Sequence, residues 1–453
     1  MNMQTERSGF GSKLGIVLAT AGSAVGLGNV WRFPTMTGEN GGAAFLLIYI
    51  GCILVLGLPC MLNEFIIGHH AQANTSRAYT KLANGTPWRF IGIFGVFTGF
   101  LIASYYGVVS GWCLQYVYAS ASGELDGSPA AVSNYFSDFS TNPWKPVVCL
   151  IVFFLITHYV VSRGVEKGIE RASKLMMPLL FILLVIIAVA ACLLPNASKG
   201  ISFLFSPDFS KVNSDTFLGA LGQAFYSLSL GMGALCTYAS YYSRNTNLTK
   251  SAVQIVAVDS LIAILAGLMI FPAVFSVGGQ PDAGASLVFV TLPNVFNQAF
   301  ASMPLVGHLV ALLFYLLLSV AALTSLISLH EVCTAYIHEE FHLSRHTGAT
   351  IVTTICTCIG VFCSLSFCHA DIGLFGMTLF DLFDFVTGQL FLPLGGLLTC
   401  LFIGWYVPRN ISYSELTNEG TLSGRFFGIY IVCVRYICPL CILLIFLHQF
   451  GVI

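Results

Sequence analysis

Gly22-Ser-Ala-Val-Gly-Leu-Gly-Asn-Val-Trp-Arg-Phe33 lies inside the first apolar segment of the chain and sets three glycines, an asparagine and an arginine where a plain membrane helix would carry leucines. Backbone facing hydrocarbon has no water to pair with, so irregular backbone at membrane depth survives only where protein buries it or where it lines a polar cavity. Something polar is expected to bind at this break. The rest of the composition makes the setting a bilayer. The 453 residues are 56% hydrophobic and 9% charged, with 37 Phe, whereas soluble domains are about one quarter charged.

Apolar windows long enough to cross a membrane fall near 11–36, 42–68, 89–121, 146–162, 172–195, 217–243, 252–277, 305–337, 347–368, 375–405 and 426–450, which predicts eleven spans. With the amino terminus inside, fourteen Lys and Arg collect on the cytoplasmic side and three, Lys145, Lys199 and Lys211, lie outside; Arg32 and Arg435 fall within spans. That asymmetry follows the positive-inside rule. It predicts a multi-pass protein of the cell (inner) membrane with a cytoplasmic amino terminus and a carboxyl terminus outside. The residues before Phe10 carry no small-residue cleavage site, so span one is expected to be retained. The net charge of -1 gives no support for nucleic-acid binding. Cys52, Cys60, Cys192, Cys333, Cys400 and Cys433 lie scattered through apolar segments without zinc-ligand pairs and read as small buried hydrophobes.

Gly22, Gly26 and Gly28 recur as Gly231 and Gly233 in the sixth span, within Ser-Leu-Ser-Leu-Gly-Met-Gly. The two breaks stand five spans apart, and an odd repeat length inverts the second copy in the membrane. Glycine-interrupted spans at matching positions of two halves point to a transporter binding site. Two outer loops are long, and the second, 277–304, holds the apolar run Leu287 to Leu292, which suggests a lid packed into a vestibule.

Ala24-Val-Gly-Leu-Gly-Asn-Val-Trp-Arg-Phe-Pro34, Glu39-Asn-Gly-Gly42, Tyr105-Tyr106, Gln223 to Gly233, Leu287-Val-Phe-Val-Thr-Leu-Pro293 and Ala321-Ala-Leu-Thr-Ser325 together resemble the neurotransmitter:sodium symporter family, and in particular its shorter bacterial amino-acid transporters. The resemblance covers nearly the whole chain. It implies an all-α polytopic membrane protein with a five-plus-five inverted-repeat, leucine-transporter-like core, broken helices 1 and 6, and an eleventh helix. The first repeat is expected over 1–195, the second over 217–405 and the additional span over 426–450.

The resemblance also assigns residues. Unwound backbone offers free carbonyls and amides, and half-helix amino ends suit a carboxylate, so a zwitterionic amino acid fits. Amides around Gly26 and Gly28 with the Tyr106 hydroxyl are expected to hold its carboxylate. Carbonyls of span one, Ala24 included, and of the Tyr226 to Ser229 segment, Ser227 included, would take its amino group. Ile102, Tyr226, Ser229, Met232 and Leu329 would line the side-chain pocket, and the polarizable Met232 between two glycines suits a large hydrophobic or aromatic substrate. Two sodium ions and no organic cofactor are implied. The first ion would use Ala24, Asn29, Ser227 and Asp259, and the second Gly22, Val25, Ala321, Thr324 and Ser325. Hydroxyls on a helix otherwise bond back to a carbonyl one turn earlier, so Thr324 and Ser325 gain meaning only beside the break in span one.

Asp259 stands where the family's animal members carry Asn and bind chloride nearby; a fixed carboxylate can supply that charge, which predicts chloride independence. Intramembrane acids are functional by default. Arg32 and Asp384 match an outer gate, with Phe33 and Tyr106 closing below it. Arg7 and Glu339 match an inner pair, with Phe10 where the family usually has Trp. Glu64 is expected to brace the unwound backbone by accepting its amides. His69, His70, His330 and His338 are available to relay protons or are incidental. The function implied is sodium-coupled symport of an amino acid by alternating access, across the lipid bilayer, with no enzymatic step; Gly-x-Ser-x-Gly does not occur. The alternative is a non-transporting amino-acid sensor or channel-like protein of the same fold. Nothing in the sequence fixes an oligomeric state.

Overall fold

The Ser12 side chain accepts from the Gly15 amide and caps Lys13–Ala24, the first half of span one. Val25 then turns extended, with φ -74° and ψ 115°, and the helix resumes as Gly28–Glu39 at an angle of 54°. The second half opens with a wide turn, Gly28–Arg32. Span six breaks in the same manner. Asn213 caps Ser214–Ser227 through a reciprocal capping box with Thr216. The chain then passes through Ser229, Gly231 and Gly233, all at positive φ, before Ala234–Ala239.

The computed structural model describes residues 9–280, 287–369 and 372–450, which are helical with no sheet strand among them. Among the described residues nine helices are long and apolar enough to cross a membrane: Ala43–Ala71, Pro87–Ser122, Lys145–Ser162, Val165–Cys192, Leu248–Ser276, Pro304–Glu340, Arg345–Leu365, Leu379–Tyr406 and Phe427–Gln449. With the bent pair Lys13–Ala24 and Gly28–Glu39, ten of the eleven apolar windows hold such a helix or helix pair, and the eleventh, 217–243, holds the shorter helices Ser214–Ser227 and Ala234–Ala239 on either side of its break. The largest difference in boundary is at span five, which starts at Val165 where the window opened at 172. Glu166, Lys167, Glu170 and Arg171 lower the hydropathy of a turn that is nevertheless helical.

Span three packs lengthwise on span eight. Leu155, Leu175, Ile182, Val189, Leu309 and Leu440 stand exposed on the outer flanks, a distribution that suits hydrocarbon rather than water. The run Leu287 to Phe289 is buried. Tyr116 and Tyr315 donate to the carbonyls of Phe289 and Val288, each at 2.9 Å, and the Phe289 ring packs on Trp31, Trp112 and Tyr116. The outer loop thus folds inward above span one, as its apolar composition suggested.

Phe33 departs from expectation. It is fully buried against Phe45 and Tyr49 of span two, with ring centroids 6.3 and 5.0 Å away, so it faces the core and not a gate. Phe33 follows Arg32 at about 100° round the helix, which turns it to Phe45 and Tyr49 while Arg32 faces Tyr226.

Candidate functional site

The two breaks meet. Ser229 Oγ donates to the Ser23 carbonyl at 3.1 Å, and Gln223 Nε2 donates to the Gly28 carbonyl at 3.2 Å. Glu64 of span two holds the second break from behind, accepting from the Gly231 amide at 2.7 Å and the Cys236 amide at 3.2 Å. Gly231 requires its glycine twice over: φ is +86°, and a Cβ would overlap the Leu392 carbonyl oxygen.

Between the breaks lies a narrow cavity of about 50 Å³. Ala24, Gly26, Gly28, Ile102, Tyr106, Tyr226, Ser227, Ser229, Met232 and Leu329, the whole substrate set expected from sequence, line it. Sequence reasoning missed Ser23, Leu27, Tyr105, Ser328 and Leu392. Ser23 and Leu27 had a signal, since both belong to the opening stretch. Ser23 Oγ is buried with no hydrogen-bond partner among the described residues, and buried polar atoms in that condition are rare enough to call for a ligand or water.

The amides are deployed differently from expectation. The Gly26 amide donates to Asn29 Oδ1 at 3.1 Å, and it is the Leu27 amide that points to the Tyr106 hydroxyl, at 3.3 Å. Of the amides expected to form an anion cradle around Gly26 and Gly28, that of Gly26 is thus taken by Asn29, and those of Leu27 and Gly28 remain beside Tyr106.

Oxygen clusters flank the cavity. In the first, Asp259 is fully buried. Its Oδ1 accepts from Asn29 Nδ2 at 2.8 Å, its Oδ2 from Ser227 Oγ at 2.9 Å, and the Tyr49 hydroxyl stands 3.5 Å from Oδ2. Ala24 lines the adjoining wall. A carboxylate, a hydroxyl, a carboxamide and a carbonyl are all hard donors, which fits a hard cation, although Asn29 would have to turn its oxygen inward. In the second, the Val25 carbonyl left free by the break accepts from Thr324 Oγ1 at 3.3 Å and Ser325 Oγ at 3.2 Å. Thr324 Oγ1 also reaches the Ala321 carbonyl at 2.9 Å, and Gly22 packs on the Thr324 side chain. This set is neutral and again all oxygen.

Above the cavity, a vestibule of about 280 Å³ shares Leu27, Gly28, Tyr105, Tyr106 and Tyr226 as its floor. Arg32 and Asp384 both line it, without a direct ion pair. The Arg32 guanidinium instead lies 4.2 Å over the Tyr226 ring, a cation–π contact, so Tyr226 occupies the position that Phe33 was expected to fill.

On the inner side, Arg7 lies outside the described residues. Glu339 Oε2 accepts from the Asn74 amide at 2.8 Å and from Asn74 Nδ2 at 3.0 Å, and Phe10 packs among Tyr238, Tyr241 and Tyr242. The four histidines fall into three separate groups. His69 and His70 meet Glu415, His330 meets Thr353 and Thr334, and His338 meets the Leu343 carbonyl. They form no chain of hydrogen bonds to one another.

The family model described as Sodium:neurotransmitter symporter family matches residues 7–134 and 130–452. The chain is 39% identical over 447 residues to the uncharacterized sodium-dependent transporter YhdH of Bacillus subtilis, covering 98% of each. It is 35% identical, again over 98% of each chain, to an uncharacterized sodium-dependent transporter of Haemophilus influenzae. Among solved structures it is similar to MhsT crystallised with L-phenylalanine, at 43% identity and a TM-score of 0.88, covering 97% of this chain and 99% of the other.

Proposed function

The chain belongs to the sodium:neurotransmitter symporter family, and on that premise we propose that it is a sodium-coupled symporter of a large hydrophobic or aromatic amino acid, working by alternating access without chloride. One observation carries the reading. A cavity lined by Ile102, Met232 and Leu329 together with the irregular backbone of two broken helices is flanked by two oxygen-rich clusters. Apolar walls with a few convergent polar groups are the ordinary form of a small-molecule site.

The Leu27 and Gly28 amides and the Tyr106 hydroxyl take the substrate carboxylate. Carbonyls of Ala24 and of the Tyr226 to Ser229 segment take the ammonium. One sodium ion sits at Asn29, Ser227, Asp259 and the Ala24 carbonyl, and the other at Gly22, Val25, Ala321, Thr324 and Ser325. Asp259 supplies the fixed negative charge that makes chloride unnecessary. The crystallised phenylalanine complex of the similar protein MhsT supports a large apolar substrate, and the relatives' description as sodium-dependent supports the ion.

Both ions touch the break in span one, so each binds best in the arrangement that aligns the two halves of that span. A ligand shifts a conformational equilibrium only by this differential affinity. Arg32, Tyr226 and Asp384 close the outer path; Arg7, Glu339 and Phe10 belong to the inner one. Residues 1–195 and 217–405 are the two repeats, 426–450 the added span, in a cell (inner) membrane with the amino terminus cytoplasmic and the carboxyl terminus outside.

The test is uptake into sealed vesicles under an inward sodium gradient. Accumulation of phenylalanine, tryptophan, tyrosine, leucine or methionine, abolished by collapsing the gradient and indifferent to replacing chloride by gluconate, is expected. Sodium-dependent binding with no accumulation of any amino acid would instead make the protein a sensor.

A further inference from the structure

Cys60 in span two, Cys400 in span ten and Cys438 in span eleven are far apart in sequence, yet their Sγ atoms all lie within 4.8 Å of one another, and all three residues are buried. Cys60 and Cys400 are separated by 3.5 Å between sulfurs. We propose that this thiol triad is a binding site for a soft monovalent cation of the copper(I) type.

Geometry supports the assignment. Three sulfurs each about 2.3 Å from one ion in a trigonal plane lie about 4 Å from one another, which the cluster nearly satisfies as it stands. Soft thiolates select copper(I) among the available metals. A structural zinc site takes four ligands, whereas only these three His, Cys, Asp or Glu groups come together here among the described residues. Glu64, one turn beyond Cys60, spends its carboxylate on the Gly231 and Cys236 amides. Asn63 donates from Nδ2 to Cys400 Sγ at 3.4 Å, and its Oδ1 accepts from the Tyr430 hydroxyl at 2.6 Å. These outer contacts orient the sulfur as second partners orient metal ligands elsewhere.

The helices are also shaped around the triad. Wide turns occupy Ile53–Gly57, Phe402–Tyr406 and Cys433–Ile437, so each cysteine stands within three residues of one. Such turns gather at functional sites, and the Val55 carbonyl within one of them accepts from Cys438 Sγ at 3.6 Å. An approach exists. A cavity of about 400 Å³ lined by Leu62, Lys250, Thr417 and Tyr430 reaches the Tyr430 side chain, leaving that residue and Asn63 between the cavity and the sulfurs. On the inner side of the membrane thiols stay reduced, the condition in which copper is monovalent. Binding displaces thiol protons to solvent with no change of oxidation state, so affinity rises with pH.

The experiment is anaerobic titration of the purified full chain with copper(I) against bicinchoninate as competing chelator. One copper(I) per chain is expected, with a near-ultraviolet thiolate-to-copper band, an all-sulfur shell in X-ray absorption, and a rise in thermal midpoint on loading. Cys60→Ser, Cys400→Ser and Cys438→Ser should each weaken binding by about tenfold or more, while Cys192→Ser and Cys358→Ser leave it intact. Absence of binding by the wild-type chain, retention of it by the triple serine variant, or a shell dominated by nitrogen and oxygen would overturn the proposal. The X-ray absorption result stands on the wild-type chain alone and decides the matter even where a serine variant does not fold.

Discussion

Asn29 on the broken first span donates from Nδ2 to Oδ1 of Asp259 on span seven at 2.8 Å, and both residues are fully buried. A buried carboxylate held by neutral donors alone keeps its charge at a considerable desolvation cost. A cation at the same oxygens would remove that cost, so under the proposed function sodium affinity and anion independence both turn on Asp259. Wild-type protein should therefore bind substrate with sodium equally well in chloride and in gluconate. Asp259→Asn should lose about tenfold or more in sodium affinity without chloride, equivalent to about 1.4 kcal/mol, and regain part of it when chloride is added. Unchanged sodium affinity of the variant in gluconate would refute the charge-balance argument.

Glu64 uses two carboxylate oxygens to accept from the Gly231 and Cys236 amides. In Glu64→Gln one of those oxygens becomes an NH2 that faces another donor. A buried donor left unsatisfied costs about 1–3 kcal/mol, and here the loss falls on the segment that carries Ser229 and Met232. The variant should melt earlier and bind substrate more weakly in the same preparation. A thermal midpoint and a binding isotherm both equal to wild type would show that the brace contributes nothing.

The glycines of the opening stretch are not equivalent. A Cβ on Gly26 would overlap Ser325 Oγ and lie 3.2 Å from the Tyr106 hydroxyl, so it would enter both the second oxygen cluster and the anion cradle; one on Gly222 meets nothing. Gly26→Ala should abolish sodium-dependent substrate binding, and Gly222→Ala should leave it within about twofold. Scintillation proximity binding on the two purified variants separates these outcomes.

These contrasts show what local sequence could and could not reveal. The eleven spans were legible because bilayer thickness imposes a minimum apolar length, and the two breaks because glycine has no other reason to interrupt such windows so closely. The cavity lining followed from resemblance over the same segments. Side-chain direction past a wide turn did not, which is why Phe33 was placed at a gate and Tyr226 under Arg32 was not foreseen. The Cys60, Cys400 and Cys438 cluster left no local pattern at all, because its members come from three spans whose packing the chain order does not disclose.

His69 and His70, in the last turn of span two, contact Glu415 on the short helix Arg409–Thr417 at 2.5 and 2.8 Å. Burial pushes the Glu415 carboxyl up, but the two histidine hydrogen bonds more than reverse this and leave it at about 2, against an ordinary 4.5. A depressed carboxylate stabilises the fold fully above its unfolded value and loses that contribution as pH falls through the folded one. The wild-type thermal midpoint should therefore decline between about pH 4.5 and about pH 2, and Glu415→Gln should lower it at neutral pH while flattening that decline. Superimposable midpoint profiles for the two proteins would remove Glu415 as a tie between span two and the inner helix.

Met232 is the adjustable wall of the cavity. It is flanked by Gly231 at φ +86° and Gly233 at φ +74°, and its unbranched side chain can repack around a ligand where a β-branched residue could not. Met232 and Leu329 both line the cavity, so repacking of the flexible thioether would adjust the room available to an aromatic ring. Shortening the side chain removes contacts with a large substrate and leaves a small one unaffected. At about 0.8 kcal/mol for each methylene-sized group withdrawn, Met232→Ala should weaken phenylalanine binding about tenfold to a hundredfold while alanine binding changes little. Competition binding across a series of apolar amino acids reads that ratio directly. A uniform loss for every substrate would place Met232 in the general integrity of the break instead, and a wild-type preference for glycine or a charged amino acid would dispose of the large-pocket reading itself.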